Sequence, residues 1–175
     1  SAIDGRVLSP CPGVGRWPSW FRRTKPLIIR DNREARRTMP STRKQMVRRY
    51  FEEVLSTERL ETAEELLTDD VRVVAPGSDV QGISALKEML SAAGAAFPHR
   101  GVYLEEPIED GDKIACVFRL VMDHVGEYQG LPPTGKTVDI TGIDVFTFVD
   151  DRISEIRVFY DSMSVMAQLG VGPEG

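Results

Sequence analysis

Two long alternating runs constrain this chain more than any other feature. Ile114, Cys116, Phe118, Leu120, Met122 and His124 fall two residues apart, as do Val138, Ile140, Gly142, Asp144, Phe146 and Phe148. Side chains alternate along a strand, so each set shares one face of an extended segment. Each face is apolar except for one ionisable residue, His124 on the first and Asp144 on the second. A carboxylate on a face that packs into a core must be paired, neutralised or put to use. The loop Gly130-Leu131-Pro132-Pro133-Thr134-Gly135-Lys136 separates the runs. The pattern predicts two strands that turn a polar pair toward an apolar pocket.

The rest of the chain reads as helices first and strands after. Thr42-Arg43-Lys44-Gln45 has the form of a capping box. Met46, Val47, Tyr50, Phe51, Val54 and Leu55 follow at helical spacing. A second short helix is predicted over Leu60–Leu67 and a strand over Val71–Ala75, stopped by Pro76-Gly77. Ser84 is the expected cap of a third helix that ends at Pro98. Strands are then predicted over Val102–Ile108, Lys113–Glu127, Lys136–Val149 and Arg152–Tyr160. Asp110-Gly111-Asp112 and Asp150-Asp151 supply turns, and Gly142 is expected to make a bulge or bend. A last helix, Ser162–Leu169, closes at Gly170. This order defines an α+β domain in which an antiparallel meander is covered by helices.

At 175 residues the chain holds one domain, placed at 41–172, with an appendage at 1–40. Residues 1–40 carry nine Lys/Arg against three Asp/Glu, so residues 41–175 hold −11 of charge within an overall −5. Trp17, Trp20 and five prolines also fall in this segment. It reads as a disordered leader, as translated sequence upstream of Met39, or as an arm that packs through Trp17, Trp20 and Phe21. It is Arg-rich like a transit peptide but poor in serine.

The acidic balance gives a nucleic-acid partner no overall support. No apolar stretch is long enough to span a membrane, and no secretory signal pattern is present. Cys11 and Cys116 lie far apart, and Cys116 reads as a small core residue, so no disulfide is expected and a reducing cytoplasm fits. Two histidines, two distant cysteines and no grouped His/Glu motif argue against a metal site. Thr134-Gly135-Lys136 lacks the strand–glycine loop–helix context of a phosphate loop.

The stretch His124-x-Gly126-x-Tyr128-x-Gly130-x-Pro132-Pro133-Thr134-Gly135-Lys136, followed by Gly142-x-Asp144-Val145-Phe146, resembles the SnoaL-like polyketide cyclases. Arg152-Ile153-x-Glu155, Gln168-Leu169-Gly170 and Ala96-Phe97-Pro98 agree with it. The resemblance covers roughly residues 42–170. It implies an NTF2-like cone, a curved antiparallel sheet with N-terminal helices enclosing an apolar pocket. It also implies intramolecular aldol cyclisation without metal or organic cofactor, a homodimer, and an acid–base pair that falls on Asp144 and His124. The chain departs from the family pattern at Thr147, where Arg is common, and at Met122-Asp123, His99 and Asp151.

Asp144 is the candidate general base and acid, because burial makes a carboxylate a stronger base. The alternative is an aspartate bonded to Arg or to backbone near Gly142. His124 is the candidate polar partner, bonding Asp144 or polarising a substrate carbonyl; the alternative is a satisfied histidine at a strand end. Phe118, Met122, Tyr128, Phe146, Tyr160 and Asp161 are candidate substrate contacts, with Asp161 also placed to cap the last helix. His99 is a weaker candidate in a loop. The expected ligand is a hydrophobic polycyclic or polyketide-like small molecule. An isomerase, dehydratase, epoxide hydrolase or non-catalytic binding protein on the same scaffold is the alternative.

Overall fold

The structure, a computed structural model, describes residues 41–57 and 59–171, with 99 and 100 described by backbone alone. The readings of Cys11, Trp17, Trp20 and Phe21 lie outside the described residues.

Helix α1 spans Thr42–Arg49. Its cap is Ser41, whose side chain accepts from the Lys44 amide at 3.2 Å. The expected box at Thr42 is therefore one residue late. The helix runs on into a π-helical turn, Tyr50–Leu55, that buries Tyr50, Phe51 and Val54. Helix α2 spans Leu60–Leu66. Glu53 ties it to α1 by accepting from Arg49 at 2.8 Å and from Thr62 at 3.2 Å.

Strand β1 spans Leu67–Ala75 and begins earlier than expected, because Leu67, Val71 and Val73 all pack inward. Pro76-Gly77 does not stop the sheet but reverses it: Ala75 faces Ser78, and strand β2, Ser78–Gln81, pairs back on β1. Helix α3, Ile83–Ala96, is capped by Gly82 at φ 89°, with Ser84 already inside the first turn.

The expected strand 102–108 is two strands, β3 His99–Leu104 and β4 Ile108–Asp110. Both pair with β5, Lys113–Asp123. Pro107 lies in the break and cannot donate to the ladder. His99 thus begins a strand instead of lying in a loop. Strand β5 ends before Glu127 because the chain crosses the end of α3, where the Val125 and Gly126 amides both donate to the Ala96 carbonyl. A Cβ at Gly126 would lie 2.9 Å from α3 backbone, so only glycine fits this crossing.

Strand β6, Thr137–Val149, pairs with β5 in unbroken register from Asp123–Thr137 to Lys113–Thr147. Gly142 makes no bulge. A Cβ there would fall 2.5 Å from the Phe118 ring and 2.6 Å from the Phe159 carbonyl, so the missing side chain admits a neighbouring ring. The irregularity lies at Thr147–Phe148 instead. Strand β7, Arg152–Tyr160, and helix α4, Ser162–Leu169, fall where the pattern puts them.

The sheet order is β2-β1-β7-β6-β5-β3, with β4 also on β5. It is curved and does not close. Pairing is antiparallel except between β1 and β7, so the meander is extended by a parallel pairing that the sequence did not announce. Helix α1 and the π turn cover the inward face. There Phe51 packs against Phe118 and Phe146 at ring distances of 5.7 and 6.0 Å. Each such ring contributes about 1.5–3 kcal/mol by leaving water.

Candidate active site

The inward faces of β5, β6 and β7 carry the site. Asp144 stands opposite Cys116 on β5 and Val158 on β7. Gly142 and Phe146 flank it on its own strand. Tyr50 reaches over from the π turn, edge-on to Phe146 at 5.6 Å. Every contact in this ring is apolar or weakly polar, and Asp144 is only 3% exposed. Its Oδ1 has no hydrogen-bond partner, and no described residue forms an ion pair with it.

Such burial disfavours the charged form. It pushes the Asp144 carboxyl from 3.8 up to about 8. The neighbours respond in turn: burial first, and then the Asp144 charge, push the Cys116 thiol up to about 12 and the Tyr50 hydroxyl above its usual range. The outward face of the same strand shows the contrasting arrangement. There Asp139 is paired with Arg119, whose Nε donates at 2.8 Å.

His124 is fully buried just past the end of β5. Its ring stacks on Phe97 at 4.8 Å. Nδ1 accepts from the Thr134 amide at 3.2 Å and lies 3.0 Å from the Thr134 hydroxyl. That hydroxyl also accepts from the Lys136 amide at 3.3 Å, so it donates to the histidine. Nδ1 therefore carries no proton in this arrangement. Nε2 does, and it has no acceptor among the described residues.

Asp144 and His124 are both buried as the pattern requires, but no hydrogen bond joins them. Cys116, opposite Asp144, lies eight residues from His124, about 26 Å of extended strand. The sequence pattern fixes the face of each residue but not this separation.

The other candidates divide by position. Phe118 and Phe146 belong to the main core beneath Phe51. Met122, Tyr128 and Tyr160 pack on a second apolar cluster with Phe97 and Val138, at the His124 end. Burial, and then the adjacent Tyr128 hydroxyl, push Tyr160 up to about 12. Asp161 is exposed and caps α4, accepting from the Ser164 amide at 3.1 Å. In the sequence Tyr50 is one of the apolar positions of α1; the π turn that sets its ring against Phe146 leaves no recognisable mark there. Among the described residues, no three His, Cys, Asp or Glu side chains converge to hold a metal ion.

The fold and this buried carboxylate place the chain in a known class. The family profile of SnoaL-like polyketide cyclases matches residues 45–169, and the chain belongs to that family. Solved structures agree. A protein provisionally named a SnoaL-like polyketide cyclase, from Jannaschia sp. CCS1, superposes with a TM-score of 0.70 at 26% identity, over 79% of this chain and 98% of that one. IdmH from Streptomyces antibioticus, provisionally named a polyketide cyclase, gives 0.62 at 23%, over 74% and 99%. A Catenulispora acidiphila protein with a ketosteroid isomerase-like fold, in complex with trimethylamine, gives 0.61 at 14%, over 73% and 93%. The fold is NTF2-like. No functionally curated protein matches the chain.

Proposed function

We propose that this protein is a cofactor-independent acid–base enzyme that closes a ring by intramolecular aldol addition on a hydrophobic, polyketide-like substrate. The observation that carries the reading is Asp144, a buried carboxylate with no cationic partner, raised to about 8. A structural aspartate would be expected to hold a partner, as Asp139 does. A base is most effective when its pKa lies near working pH. Near pH 7 about one molecule in ten carries the charged form.

The steps follow from that one group. The Asp144 carboxylate takes a proton from a carbon flanked by carbonyls, and the C–H electron pair becomes an enolate. The enolate carbon bonds to a second carbonyl carbon of the same molecule, leaving an alkoxide. The protonated Asp144 returns its proton to that alkoxide, so the enzyme ends as it began. His124 Nε2–H offers a donor to a ligand oxygen farther along the inward face, near Met122, Tyr128 and Tyr160. Isomerases and dehydratases share the first step; a carrier needs none of it.

Family resemblance also supports a homodimer formed through the uncovered sheet face. Ile143 and Phe159 stand opposite one another there, 44% and 56% exposed. No described helix is long and apolar enough to cross a membrane, and the reading remains that of a cytoplasmic enzyme acting on a small molecule.

Deuterium exchange at C-1 of 2-tetralone, an apolar ketone, tests the first step. We expect wild type to accelerate exchange and Asp144→Asn to lose about 10²–10⁴-fold of that acceleration. Equal rates in the two proteins would remove Asp144 from the mechanism.

A further inference from the structure

The connection between β5 and β6 holds a chain of hydrogen bonds that runs one way. A backbone N–H can only donate. The Lys136 amide donates to the Thr134 hydroxyl at 3.3 Å, and the Thr134 amide donates to His124 Nδ1 at 3.2 Å. Nδ1 therefore presents its lone pair, and the Thr134 hydroxyl, 3.0 Å away, can meet it only by donating. The ring proton is left on Nε2. The backbone is pinned as well: the His124 amide donates to the Lys136 carbonyl and the Gly135 amide to the His124 carbonyl, both at 2.9 Å. Phe97 stacks on the ring and holds its plane. Yet Nε2, on a fully buried side chain, has no partner among the described residues. Buried donors nearly always have one. His124 continues the inward alternation of β5 past Met122, beside the apolar cluster on which Tyr128 and Tyr160 pack.

We propose that Thr134 is a positioning residue that makes His124 a donor only, and that the Nε2–H so presented binds a carbonyl or ether oxygen of the ligand, at a point on the inward face remote from Asp144. This rests on the reading of the inward face as the ligand site, but not on Asp144 being a base. No proton is transferred at His124; the imidazole binds and orients. The ligand class follows from the direction of the chain. An apolar molecule fits if it carries an acceptor oxygen at the end away from its acidic carbon. A ligand group that offers only N–H there sets donor against donor and is rejected. Each bond in such a chain polarises the next, so the Thr134 hydroxyl strengthens Nε2–H without touching the ligand. Asp144 and His124 then act on two ends of one molecule and not on each other.

Proton–nitrogen NMR of isotope-labelled histidine tests the chain directly. With His99→Gln removing the other imidazole, His124 should show its proton on Nε2 and none on Nδ1. Fluorenone and fluorene test the ligand. They differ by one carbonyl, and fluorenone has no hydrogen on the carbons beside it, so Asp144 has no proton to take. NMR titration gives the ratio of the two affinities. We expect that ratio to fall about tenfold in His124→Phe, the value of one hydrogen bond. It should fall about threefold in Thr134→Val and be restored in Thr134→Ser, which keeps the hydroxyl. The Nδ1 resonance should move downfield in Thr134→Val and return in Thr134→Ser. The ratio should be unchanged in Asp144→Leu. A Thr134 that only braces the loop would alter urea stability and leave the ratio where it is.

A proton on Nδ1 in the wild type would overturn the direction of the chain and the proposal with it. Equal ratios in wild type and His124→Phe would overturn the donor role and leave a buried water as the partner of Nε2. A wild-type ratio in Thr134→Val would overturn the positioning role of Thr134. A ratio that collapses in Asp144→Leu and survives in His124→Phe would put the ligand oxygen at Asp144 and overturn the proposal as well. Loss of the base reading is separable: no acceleration of 2-tetralone exchange, with a ratio that still depends on His124 and Thr134, would sink that reading and support this one. Failure of both compounds to bind would overturn the inward face as their site and this inference with it.

Discussion

Replacing Asp144 with Asn should change how stability depends on pH, with a sign opposite to that of a salt-bridged aspartate. The folded protein holds the Asp144 proton up to about pH 8, while the unfolded chain releases it near 3.8. Folding therefore gains from the proton fully below 3.8. That gain is lost steadily as pH rises toward 8, above which both states are ionised and the curve flattens. The slope is about 1.4 kcal/mol per pH unit for one proton. From pH 5 to pH 7 the wild type should lose about 2–3 kcal/mol relative to Asp144→Asn, whose amide does not titrate. Taking about 2 kcal/mol per molar urea for a domain of this size, the wild-type midpoint should fall by about 1–1.5 M relative to that of Asp144→Asn. The assay is urea unfolding of both proteins at pH 5, 6, 7 and 8; other titrating groups cancel in the difference. Parallel midpoints across that range would refute the burial argument, and a wild-type midpoint that rises with pH relative to the variant would show a stabilised carboxylate instead.

Three more outcomes follow from particular contacts. Asp144-dependent exchange should rise about tenfold per pH unit from 5 to 7 and level above 8; a plateau reached below pH 5 would mean an ordinary carboxylate. Gly142→Ala should cost about 2–3 kcal/mol in urea unfolding, because its Cβ meets both the Phe118 ring and the Phe159 carbonyl, and the carbonyl cannot turn aside. An unchanged midpoint would show that the strands part easily. Thr134→Val should cost about 1 kcal/mol and speed exchange of the Lys136 amide, whose acceptor is the lost hydroxyl; native-state hydrogen exchange reads both.

The elements that were legible in the sequence owe it to periodicity. Strand β7 and helix α4 carry strong patterns between clear turn residues, and their limits coincide with the reading. The inward placement of His124 and Asp144 followed from the same alternation. The missed elements depend on partners distant in sequence. Strand β2 exists because β1 is already there to pair with, and the parallel pairing of β1 with β7 joins segments about eighty residues apart. The separation of His124 from Asp144 is set by ladder register, which the loop between their strands does not reveal. Gly142 was expected to make a bulge or bend, but its missing side chain instead leaves room for a neighbour's ring. Tyr50 lay hidden because a π turn uses the same residues as an ordinary helix.

The way α1 is fastened decides where anything ahead of it must begin. Ser41 donates to Glu109, and the Arg43 guanidinium donates to the Gly111 and Asp150 carbonyls at 3.0 and 2.9 Å, clasping two hairpin turns at one pole of the sheet. The connection from His124 to Lys136 occupies the opposite pole, an eleven-residue strand away, about 36 Å. A tag or fused protein joined directly to Ser41 in place of residues 1–40 therefore starts far from the histidine end. The start of α1 is the natural handle for immobilising the domain on a sensor surface while leaving the other pole open to ligand.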